Sequence, residues 1–87
     1  MTETAEHRYK RLRMRSWRRG IKEMDLILGG FADKRLQSLS ADQLDEYEEM
    51  LNENDQDLYK WVSGAQPTPD EHQAILSVVA DFHEIKR

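Results

Sequence analysis

Apolar side chains in this chain recur at intervals of three and four along its whole length, and nowhere do they alternate with polar ones over the length of a strand. That spacing lines up residues on one face of a helix, so the expected fold is all-α, a small single-domain bundle of about five helices. At 87 residues there is room for one domain, residues 1–87, with residues 1–7 and 84–87 expected to be frayed ends. A chain this short buries only about 60–65% of the surface its unfolded state exposes, so its core is thin. Little is left to enclose a substrate pocket of several hundred Å³, the usual size of an enclosed small-molecule site. Contact with a larger molecule is therefore expected, not catalysis.

Other function classes fall to composition. With no cysteine there are no disulfides, thiol nucleophiles or cysteine-ligated zinc, and a reducing compartment is the natural setting. Apolar runs such as Val78-Val79-Ala80 stop at three residues, far short of the roughly 20 a membrane span needs. The N-terminus lacks the apolar region of a secretory signal, and Glu3 and Glu6 suit an arginine-rich transit peptide poorly. A cytoplasmic protein is expected, or one of the mitochondrial matrix if the source is eukaryotic.

Start and stop signals divide the chain. Thr4 caps a first helix that runs to about Met14 or Arg15. A second is expected from about Arg19 to Ala32, with Ile21, Met24, Leu28 and Phe31 as its inward stripe and Gly29-Gly30 weakening its end. Ser40-Ala41-Asp42-Gln43 has the form of a capping box ahead of a third helix carrying Leu44, Tyr47 and Leu51. Asp55 opens a short fourth helix, with Leu58, Trp61 and Val62 inward and Tyr59 and Lys60 outward, which Gly64 closes. Thr68-Pro69-Asp70-Glu71 supplies an N-cap threonine and a proline in the first position of a last helix, which runs to about Ile85.

Charge is unevenly spread. From Met1 to Glu23 eight Lys and Arg stand against three Glu; the remainder carries five basic and fourteen acidic residues. A basic head on an acidic body either meets a negative partner or lies against its own fold. Catalytic groups are harder to find. His72 and His83 lie about 16 Å apart along one helix, too far to share a metal there, and are expected at the surface. Gly29-Gly30 lacks the spacing of a phosphate loop. Asp42, Asp45, Glu46, Glu48 and Glu49 form the solvated face of one helix. No catalytic, cofactor-binding or metal-binding residue is expected.

The segment from Trp17 to Leu26 stands out. If a helix starts at Arg19, Glu23 falls about 40° and Leu26 about 20° from it, on a face turned away from the inward stripe. Gly30 extends that face. Gly20 costs up to about 1 kcal/mol of helix propensity relative to alanine, so it needs a reason. A charged pair beside an outward leucine suits a docking surface; equally, Arg19 and Glu23 form an ordinary i, i+4 surface pair.

Arg19-Gly20-Ile21-Lys22-Glu23 resembles the Arg-Gly-x-x-Glu hallmark of the succinate dehydrogenase assembly factors, the small flavinylation factors whose bacterial members are called SdhE. Met24-Asp25-Leu26, Phe31 and the downstream Asp57-Leu58-Tyr59-Lys60-Trp61 follow in the family's order, so the resemblance covers about Tyr9 to Phe82. It implies a five-helix fold and a chaperone-like role. The implied partner is the flavoprotein subunit of succinate dehydrogenase or, in bacteria, fumarate reductase. FAD is then attached covalently to a histidine of that subunit, and no cofactor is held tightly by the factor itself. Carried over by position, Arg19, Gly20 and Glu23 are the expected partner-binding residues, with Leu26 beside them on the face described above. The expected state is a monomer that binds no nucleic acid. The alternative is a nucleic-acid-binding or antitoxin-like regulator that uses the basic N-terminal helix, with an affinity that falls steeply with salt.

Overall fold

A computed structural model describes residues 3–85 of the chain. Five helices follow one another, α1 Ala5–Trp17, α2 Lys22–Arg35, α3 Ala41–Met50, α4 Asp55–Val62 and α5 Asp70–Phe82, with a single 3-10 turn at Leu36–Ser38. No strand occurs among the described residues. Met1, Thr2, Lys86 and Arg87, at the ends expected to fray, lie outside the described residues.

Several boundaries follow from local chemistry. The Thr4 hydroxyl accepts the His7 amide at 3.1 Å and starts α1. Ser40 and Gln43 form the full capping box at α3, each side chain accepting from the other's amide. Gly64, at φ 84°, takes the left-handed conformation that ends α4, and the Gln66 amide returns to the Lys60 carbonyl at 3.0 Å.

Helix α4 starts at Asp55 as expected, with Asn54 as its cap, whose side chain accepts the Gln56 amide at 2.8 Å. Other boundaries depart from expectation. The cap position of α5 is Pro69, one residue later than expected, with no side-chain capping bond. That helix ends at Phe82, where Glu84 turns left-handed at φ 56° and the Ile85 amide donates to the Ala80 carbonyl at 2.9 Å. Helix α2 starts three residues later than expected and runs on to Arg35, straight through Gly29-Gly30. The doublet does not break it because Gly29 is a packing position. The Trp17 ring lies so close that a Cβ there would sit 2.3 Å from it. Trp17 in turn donates its indole N–H to Asp33 at 3.1 Å, which carries α1 two residues past its expected end.

Helix α2 forms the centre of the bundle. Its Met24, Leu28 and Phe31 are fully buried with Leu12 of α1, Tyr47 and Met50 of α3, Leu58 and Val62 of α4, and Ile75, Leu76 and Val79 of α5. Each such side chain contributes about 1.5–3 kcal/mol on burial. Phe31 stacks on Tyr47, with ring centres 5.6 Å apart, and meets Phe82 edge-on at 5.6 Å. The Tyr47 hydroxyl is buried but satisfied, 2.7 Å from the Ser16 hydroxyl and 3.3 Å from the Leu28 carbonyl. Burial pushes its pKa well above the usual phenol range. Trp61, expected inward, is only half-buried and lies beside the His72 ring.

Candidate partner-binding face

Arg18 to Ile21 form an extended link between α1 and α2. Arg19 and Gly20 are thus outside any helix, and Arg19 makes no i, i+4 pair with Glu23. Their backbone N–H groups, which would have no intrahelical partner in a first turn, are instead held by carboxylates. Asp25, in the first turn of α2, accepts the Arg19 amide at 2.6 Å, and the Asp55 carboxylate accepts the Gly20 amide. Both donors are satisfied without helix, and glycine has the least to lose by leaving it.

The Arg19 side chain turns inward, with 8% of its surface exposed. Its Nε donates to Asp55 at 2.5 Å, and its two terminal nitrogens donate to the Leu51 and Glu53 carbonyls at 3.0 Å each. The guanidinium fork thereby ties the link to the α3–α4 turn and to the first residue of α4. Gly20 allows the close approach, since a Cβ at this position would meet the Asp55 carboxylate at 3.0 Å. The same turn is held from its other side: the His72 Nε2–H donates to the Glu53 carboxylate at 2.7 Å. His72 is therefore a buried residue of the core, contrary to the surface expectation; Glu53 supplies a partner for Nε2, while Nδ1 is buried without one among the described residues. His83 is half-buried and donates from Nε2 to the Ile27 carbonyl at 2.7 Å, beside Gly30.

Glu23 and Leu26 lie where a helical wheel starting at Lys22 puts them, on the solvent side of α2 with Asp33, while Gly30 on the same face is half-covered by His83. Glu23 is exposed, and its carboxylate makes no hydrogen bond or ion pair with another described residue. Leu26 leaves 55% of its surface in water, and Trp17, on the neighbouring helix, leaves 41%. So the structure keeps Glu23, Leu26 and Gly30 on one face but separates Arg19 from them. Asp25 and Asp55, which fix the link, were not singled out from sequence as partners of Arg19 and Gly20. The available signal was the pair Asn54-Asp55, two residues able to cap where one suffices.

Part of the basic head lies against its own fold, while Lys10, Arg13, Arg18 and Lys22 are exposed. Arg8 pairs with Asp45 at 2.7 Å and Glu48 at 3.0 Å, Arg11 pairs with Glu48 at 2.8 Å and Glu3 at 2.9 Å, and Arg15 bonds to Asn52 at 3.0 Å. Hydrogen bonds from Arg11 and then Arg8 hold the Glu48 carboxyl below its ordinary range. On the solvent side of α1 an open groove of about 760 Å³ is bordered by Lys10, Arg11, Met14, Arg15, Arg18 and Arg19.

A buried guanidinium orders the link, and beyond it a helix face carries an exposed carboxylate and a half-exposed leucine; together they belong to a small all-helical bundle. The model of the family described as flavinator of succinate dehydrogenase matches residues 10–83, and the chain belongs to that family. It is 41% identical to succinate dehydrogenase assembly factor 2, mitochondrial, of Candida glabrata, over 99% of this chain and 60% of that protein. To the protein of the same name in Meyerozyma guilliermondii it is 48% identical over 78% of this chain and 53% of that protein. To assembly factor 2-A, mitochondrial, of Drosophila erecta it is 43% identical over 93% of this chain and 51% of that protein. The chain thus spans little more than half the length of these relatives. No helix among the described residues is long and apolar enough to cross a membrane.

Proposed function

We propose that this chain docks on the flavoprotein subunit of succinate dehydrogenase, or of fumarate reductase in a bacterium, and promotes covalent attachment of FAD to that subunit. The observation that carries the proposal is the α2 face, where the Glu23 carboxylate, unpaired among the described residues, stands beside a 55% exposed Leu26. A protruding apolar side chain next to a free charge is a common form of interface anchor, because burial of the leucine provides affinity and the charge fixes orientation. The family's description as flavinator of succinate dehydrogenase supports this reading. The chain does no chemistry in this reading; it favours a conformation of the subunit in which attachment proceeds. It acts where the flavoprotein matures, in the bacterial cytoplasm or the mitochondrial matrix.

The nucleic-acid alternative has less support, because Arg8 and Arg11 already spend their charge on Asp45, Glu48 and Glu3. Purified flavoprotein subunit lacking covalent flavin, incubated with FAD with and without this protein, tests the proposal. Covalent flavin read by fluorescence in a denaturing gel is expected to form faster with the protein present. Equal rates would refute it.

A further inference from the structure

Two halves of the Arg-Gly-x-x-Glu segment meet different surroundings. Glu23 faces water, whereas Arg19 is 8% exposed with its Nε and both terminal nitrogens engaged. A partner that touched the guanidinium directly would have to break a buried charge pair, a costly exchange for a small interface. Helix α2 also begins without help of its own, since its cap position is Ile21 and no side chain caps it. What fixes its start is the link: Asp25 holds the Arg19 amide, and Asp55 holds the Gly20 amide and the guanidinium together.

We infer that Arg19 and Gly20 serve partner binding as positioning residues, acting through Asp55 to set the first turn of α2 and so the placement of Glu23. The inference rests on the proposed function above and deepens it by dividing the segment. Asp55 becomes a residue on which partner binding depends although its side chain is only 14% exposed and sits on a different helix.

The test is a double-mutant cycle on the full chain, with the Kd for the flavoprotein subunit lacking covalent flavin measured well below each variant's unfolding midpoint. The variants are Asp55→Asn, Arg19→Lys and the two combined, and the amide NMR signals of Gly20 to Glu23 are followed in the free chain. Each single variant is expected to weaken binding about tenfold and to shift the Glu23 amide, and the combination is expected to be no weaker than either alone. If Asp55→Asn does not fold, Asp55→Glu, which keeps the charge but moves the carboxylate, takes its place in the cycle. An unchanged Kd for folded Asp55→Asn would mean a structural role alone and would overturn the inference. Additive losses would put Arg19 in direct contact with the partner and overturn it too. Absence of binding by the wild type would instead overturn the proposed function, and this inference with it.

Discussion

The carboxylate of Asp55 holds Arg19 and Gly20 at once, one oxygen accepting from the guanidinium and the other from the Gly20 amide, across more than thirty residues of sequence. Removal of one member of a poorly exposed pair leaves the other charge without compensation. Asp55→Ala is therefore expected to cost about 3 kcal/mol, and Arg19→Met a similar amount, by chemical denaturation. The double variant is expected to be less unstable than the two losses added together.

Gly29 offers a second test. Alanine normally stabilises a helix interior, but here its Cβ would lie 2.3 Å from the Trp17 ring. The ring must move, so Gly29→Ala is expected to destabilise by about 1–3 kcal/mol and to alter tryptophan fluorescence. Restored stability in Gly29→Ala/Trp17→Leu would confirm the cause.

The apolar stripe of α3, Leu58 and Val62 of α4, the Ser40–Gln43 box and the Gly64 stop were legible in sequence because each is made by residues within a few positions of one another. The α1–α2 link was not. A wheel drawn from Arg19 assumes helix there, whereas the link is held in its own course by a carboxylate 36 positions away. The burial of His72 was hidden for the same reason, since its partner Glu53 lies on the turn before another helix. Glu23 and Leu26 were placed on a common outward face because their relative angle depends only on α2 itself.

Acid sensitivity should concentrate at the α1–α3 contact. The Glu48 carboxyl titrates below its ordinary 4.5 in the folded chain, chiefly through Arg11 and then Arg8. A depressed folded pKa means that its contribution is fully present above the unfolded value and is lost as pH falls through the folded one. Glu48→Gln is expected to lower stability by about 0.5–1 kcal/mol at neutral pH, less in high salt, and to converge with wild type only once the pH has fallen through the lowered folded pKa.

Glu84 closes α5 at φ 56°, a conformation that disfavours every residue with a Cβ. Glu84→Gly is expected to stabilise the chain by about 1 kcal/mol, read as a raised unfolding midpoint. Glu84→Val is expected to lower it.

Covalent flavin on the succinate dehydrogenase flavoprotein subunit of the host, read by in-gel fluorescence after denaturation, tests the central claim most directly. Cells lacking this protein would be compared with cells rescued by the wild type and by Glu23→Ala. The expected result is flavin that falls on deletion, returns with the wild type and stays low with folded Glu23→Ala. Undiminished flavin in the deleted cells would contradict the assembly role, and full rescue by Glu23→Ala would remove Glu23 from the docking face.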